Sequence, residues 1–86
     1  MEQIIGTISI WIKGREKSSY EINKILTENS SIILSRMGYN IQPQCISDCF
    51  AVITLVVRGK KDELERLNNL IRAVDKVDSK LLMLSE

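Results

Sequence analysis

Histidine is absent from the 86 residues, and cysteine and proline are scarce, at two and one. Without histidine the chain lacks the side chain best suited to general acid–base chemistry near neutral pH. There is no GxSxG nucleophile turn, and no carboxylates pair at a convincing shared location. Nothing here reads as an enzyme, and no cofactor is expected. Charge of one sign is also lacking. Twelve Lys and Arg oppose eleven Asp and Glu, for a net charge of +1. A domain that grips nucleic acid directly is expected to be clearly basic, so direct nucleic-acid binding is not expected. No stretch approaches the ~20 apolar residues that span a bilayer, and Met1-Glu2-Gln3 lacks the basic start of a secretory signal. The expected location is the cytoplasm, with no membrane partner. There two cysteines read as reduced thiols rather than as a structural bridge.

What the chain does have is apolar residues, 44% of the total, distributed unusually. Side chains alternate across a strand with period two. Read as a strand, Ile4–Lys13 puts Ile4, Ile8, Ile10 and Ile12 on one face, and Ile5, Thr7, Ser9 and Trp11 on the other. Phe50–Arg58 puts Ala51, Ile53, Leu55 and Val57 on one face, and Phe50, Val52, Thr54 and Val56 on the other. A sheet covered on one side only should alternate apolar and polar residues. These two strands do not.

Between them, Gly14 offers a turn able to take positive φ, and Ser18 with Glu21 has capping-box spacing. Ile22, Ile25 and Leu26 follow at helical spacing, and Asn29-Ser30-Ser31 reads as a stop. Ile32–Tyr39 reads as an edge strand, with Ile32, Leu34 and Arg36 facing one way and Ile33, Ser35, Met37 and Tyr39 the other. Gly38 marks a bulge or a close approach. Pro43 sits in a hairpin connection. Asp62 with Glu65 repeats the capping spacing, and Leu64, Leu67, Leu70, Ile71 and Val74 form a wide helical stripe. Val77–Leu84 alternates as a last strand.

The order β-α-β-β-α-β predicts an α+β, ferredoxin-like sandwich: a four-stranded antiparallel sheet with strands one and three central and two helices on one face. At this length, residues 1–86 read as a single domain. Two helices can roof one face only. Ile5, Trp11, Phe50, Val52 and Val56 are left for an oligomer interface, so the expected partner is the chain itself, as a homodimer or homotetramer. Trp11 suits an interface anchor.

Two segments also resemble a known family. Ile32-Ile33-Leu34-Ser35-Arg36-Met37-Gly38, after a helix ending in Ile25-Leu26, is similar to the "IIxxRMG" segment of the small iron-only hydrogenase system regulators. Ile53-Thr54-Leu55-Val56-Val57-Arg58-Gly59 with Asp62-Glu63-Leu64 resembles their "IxxIVVDGTxDEI" segment. Those proteins resemble ACT domains and the C-terminal domain of the nickel-responsive repressor. The resemblance implies an ACT-like regulatory and oligomerisation domain. Its expected role is regulation of transcription by binding, with a small-molecule effector at a subunit boundary or a separate DNA-binding protein as partner. The repressor's nickel site uses histidines, so that chemistry does not carry over. Arg58 stands where many family members have an acid.

Ligand candidates follow. Gly14, Arg15 and Ser18, with Ser19, lie at the mouth of the first helix, where free N–H groups favour an anion; the plain alternative is a turn and cap. In ACT domains the equivalent loop contacts an amino acid. Arg36 and Met37 lie on the expected edge strand, where an arginine serves subunit pairing, a ligand, or protection of the edge. Cys45 and Cys49, spaced CxxxC with Asp48 between, read as structural or incidental thiols. The alternative is a redox site or, shared across a dimer, a metal site, since one pair supplies half of the usual four ligands.

Overall fold

The computed structural model describes residues 3–40 and 50–85, with Arg15, Glu16, Lys17 and Asn40 described by their backbone only. The elements run β1 (Ile4–Ile12), α1 (Arg15–Glu28), a short 3-10 turn (Ser30–Ile32), β2 (Ile33–Asn40), β3 (Ala51–Gly59), α2 (Lys61–Arg72) and β4 (Val77–Met83). The sheet order is β2-β3-β1-β4, with every neighbouring pair antiparallel. This is the expected ferredoxin-like arrangement, with the two strands that are apolar on both faces at the centre.

Alternation decides which side is covered. Ile4, Ile8, Ile10 and Ile12 of β1 and Ala51, Leu55 and Val57 of β3 are buried, whereas Ile5 and Trp11 are exposed. Helix α1 closes the covered side with Ile22 and Leu26, and α2 closes it with Leu64, Leu67 and Ile71. The stripe on α2 matches that expected from sequence except at Leu70, which is exposed, and Val74, which follows the helix. Ser79 of β4 is the polar member of the covered face. It is buried, and its hydroxyl lies 2.7 Å from Asn68 Oδ1, so a core hydroxyl is satisfied rather than left bare.

Four local expectations are corrected. Helix α1 starts at Arg15, with Gly14 extended at φ −136°, so Ser18 lies inside the first turn and is not the cap. The reason is tertiary. The Ser18 hydroxyl donates to the Asp75 carbonyl at 2.7 Å and is buried, pinning α1 to the α2–β4 connection. Among the described residues positive φ falls at Lys76 (φ 59°), not at Gly14. At the start of α2 the reciprocal bond comes from Glu63, whose Oε1 accepts from the Lys60 backbone N–H at 2.9 Å, rather than from the Asp62–Glu65 spacing. Finally, the irregularity in β2 lies between Ile33 and Ser35, not at Gly38.

That bulge changes which way the edge strand faces. Ile33 pairs with Val57, and beyond the bulge Arg36 pairs with Leu55 and Gly38 with Ile53, so all three share the helix-covered side. Ser35, Met37 and Tyr39 pair with Val56, Thr54 and Val52 on the open side. The expected grouping of Arg36 with Ile32 and Leu34, opposite Ile33, does not survive the extra residue.

Candidate functional site

Two features stand out: the open face of the sheet and a groove between α1 and β2. On the open face, Trp11 pairs with Val52 on one side and Asp78 on the other. Its ring meets Phe50 edge-on, with centroids 6.0 Å apart at 81°, and Lys13 Nζ sits 5.0 Å above it. Edge-on aromatic pairs and cation–π contacts fix a ring in place. Even so, Trp11 remains 46% exposed. Along the same face Ile5, Met37 and Leu82 are exposed, with Val52, Thr54 and Val56 half-buried. The Tyr39 hydroxyl contacts Met37 Sδ on the same face. Beside Trp11 a shallow hollow of about 370 Å³ is lined by Ser9, Val52, Asp78 and Lys80. Asp78 is also 3.7 Å from Arg72 Nε, an exposed pair contributing little to stability. All five interface candidates therefore fall on one surface: Ile5, Trp11, Val52 and Val56 within strands, and Phe50 against the Trp11 ring.

The ligand candidates do not gather at one point. Gly14 packs beneath the Lys76 side chain, whose Cδ would lie 2.8 Å from a Cβ there. Ser18 is 3% exposed and its hydroxyl is engaged with Asp75. Arg15 begins α1. Met37 is on the open face. Arg36 instead reaches across the covered side to α1, where its Nη2 donates to Asn23 Oδ1 at 2.6 Å. Asn23 lies one turn beyond Ser19, on the same helix flank. Together with Gly38, Ala51 and Ile53 these residues line a groove of about 220 Å³. Asn23 was not among the residues singled out from the sequence. The available signal was its four-residue spacing from Ser19, which gains meaning only once β2 is known to lie alongside.

Cys45 and Cys49 lie outside the described residues. Among the described residues no group of three or more His, Cys, Asp and Glu is placed to hold a metal, and no helix is long and apolar enough to cross a membrane.

No curated protein matches the chain. Solved structures do. An uncharacterized protein, TM1266 from Thermotoga maritima, superimposes with a TM-score of 0.87 at 26% identity over 98% of this chain and 100% of that one. The ACT domain from a GTP pyrophosphokinase of Chlorobium tepidum follows the same fold, with a TM-score of 0.74 at 17% identity over 94% of this chain and 100% of that one. An ACT domain protein from Streptococcus pneumoniae gives 0.57 at 12% identity, covering 93% and 89%. The fold is thus ACT-like. Residues 4–81 match the TM1266-like family model, described as "Iron-only hydrogenase system regulator, putative", and the chain belongs to that family.

Proposed function

We propose that this protein is a non-enzymatic cytoplasmic regulator that works by binding. In this reading residues 1–86 form one regulatory and oligomerisation domain, assembled as a homodimer or homotetramer through the open face of the sheet. It influences transcription through a separate DNA-binding partner and responds to a small effector. The observation that carries the reading is the open face itself. Trp11, Ile5, Met37 and Leu82 stay exposed around a half-buried Val52–Val56 strip on a sheet whose other side is already roofed. Four strands spaced at ~4.8 Å and rising ~3.3 Å per residue give a footprint on the order of 500 Å². That approaches the ~800 Å² per partner of a standard interface, and a second copy offers the same apolar surface in return. Family membership and the ACT-like fold support the regulatory part.

A catalytic reading has less to draw on. The two buried serines among the described residues are engaged with a backbone carbonyl and with an asparagine, and neither meets a base. For the effector, Arg36 is retained as a contact, whereas Met37 is assigned to the oligomer face.

Sedimentation velocity tests the reading. The wild-type chain is expected to run as a dimer or larger at micromolar concentration. The Trp11→Glu, Val56→Glu double variant is expected to shift to monomer while keeping its circular dichroism spectrum. A wild-type monomer across that range would overturn the assembly.

A further inference from the structure

The groove between α1 and β2 sits where a sandwich of this kind should be filled. The helix-covered side of β2 beyond the bulge carries Arg36 opposite Leu55 and Gly38 opposite Ile53, not the branched apolar residues found on β1 and β3. Leu55 is fully buried, and Arg36 beside it is exposed at the margin of the core. Gly38 is not there for want of room. A Cβ at that position would meet only Ile53 Cγ1, at 3.9 Å, and its backbone φ is not positive. The missing side chain adds room to a solvent-open notch of about 220 Å³, lined by Ala51 and Ile53 of β3 and by Ser19 and Asn23 of α1.

Arg36 is aimed along this notch. One guanidinium nitrogen donates to Asn23 Oδ1 at 2.6 Å, between two exposed side chains, and the other N–H groups have no partner among the described residues. Among the described residues no carboxylate lies within ion-pair reach of Arg36. A guanidinium with spare donors matches a carboxylate through two parallel bonds. The apolar floor asks for a short hydrocarbon body behind that head. The described lining residues include no Asp or Glu, so an ammonium group would have no carboxylate partner among them.

We infer that the Arg36–Asn23–Gly38 groove binds a small carboxylic acid with a short, branched or straight apolar tail and no amino group. This rests on the reading of the protein as a binding regulator and names the class of effector. Arg36 makes the carboxylate contact, and Asn23 positions Arg36. Gly38 provides the space.

The test is titration of the ¹⁵N-labelled wild-type protein with isovalerate, leucine and inorganic phosphate in turn, following the amide resonances of Asn23, Arg36 and Gly38. Isovalerate is expected to shift these three amides saturably. Leucine and phosphate should bind about tenfold more weakly or worse, equivalent to roughly 1.4 kcal/mol. Arg36→Gln should weaken isovalerate by at least a similar factor, and Gly38→Val should block it, each variant being checked for an unchanged fold by its amide spectrum. If Gly38→Val misfolds, Arg36→Gln alone decides. Equal binding of leucine would refute the exclusion of the ammonium, and equal binding of phosphate would refute the role of the apolar floor. Retained affinity in Arg36→Gln, or no saturable shift with isovalerate, would overturn the site. Sedimentation of the same samples separates these outcomes from failure of the assembly, because groove and open face are changed by different variants.

Discussion

Gly6 offers a test in which the sign of the effect, not only its size, decides. It lies on central strand β1, paired with Val57 on one side and Met83 on the other. A Cβ built there would be 2.7 Å from the Leu82 carbonyl oxygen, about 0.7 Å inside the 3.4 Å at which ordinary contact begins. The obstacle is backbone, so no rotamer change relieves it. β4 must move away from β1, and the bonds at risk lie just beyond. Leu84 N–H donates to Ile5 O at 2.8 Å, Ser85 N–H to the same oxygen at 3.2 Å, and Ile5 N–H to Ser85 Oγ at 3.0 Å. Losing two of them at a net 0.5–1.5 kcal/mol each would cost about 1–3 kcal/mol. Against this, Gly→Ala reduces the freedom of the unfolded chain and stabilises by about 0.4–1 kcal/mol where the site accepts it. The expected balance for Gly6→Ala is a loss of about 1–2 kcal/mol, or roughly 5–15 °C in Tm for a domain of this size. The same substitution at Gly38, where a Cβ has ordinary contact only, is expected to be neutral or stabilising. Thermal and urea unfolding by circular dichroism, at one matched protein concentration to hold assembly constant, would measure both. A Gly6→Ala protein as stable as wild type, or more so, would refute the argument from β4 packing.

Two smaller effects follow from the connections at the ends of the helices. Ser18→Ala removes the hydroxyl that donates to Asp75 O, and is expected to cost about 1 kcal/mol of the urea-unfolding free energy; an unchanged midpoint would show that the contact holds nothing. Lys76→Gly relieves a left-handed backbone (φ 59°) that costs an ordinary residue about 1–2 kcal/mol. After the added freedom of the unfolded chain, a net gain of about 0.5 kcal/mol is expected, and a clear loss of stability would refute it.

The fold was legible because its strongest signals are periodic. Apolar residues on both faces of Ile4–Ile12 and Ala51–Gly59 mark the two central strands, and the stripe from Leu64 to Ile71 marks the helix above them. The caps are less legible. Ser18 has the spacing of a helix start, but the Asp75 carbonyl lies 57 residues away in the chain, and a partner so distant leaves no local mark. The candidate site was half legible. The open-face residues fell together as expected, because alternation assigns them one by one. The groove did not, because a single bulge reassigns every later side chain of β2 to the opposite face.

The sequence by itself determined the element order, the identity of the central strands and the existence of an apolar face that two helices cannot cover. The elements follow from repeats of two or 3.6 residues written along single segments, and the central pair and the uncovered face follow from their order. Only the tertiary structure decided that Arg36 lies beside Asn23 rather than on the open face, that Ser18 is a tether rather than a cap, and that Gly38 lines a groove against α1. Each of these depends on which distant backbone arrives alongside, and no local periodicity encodes that.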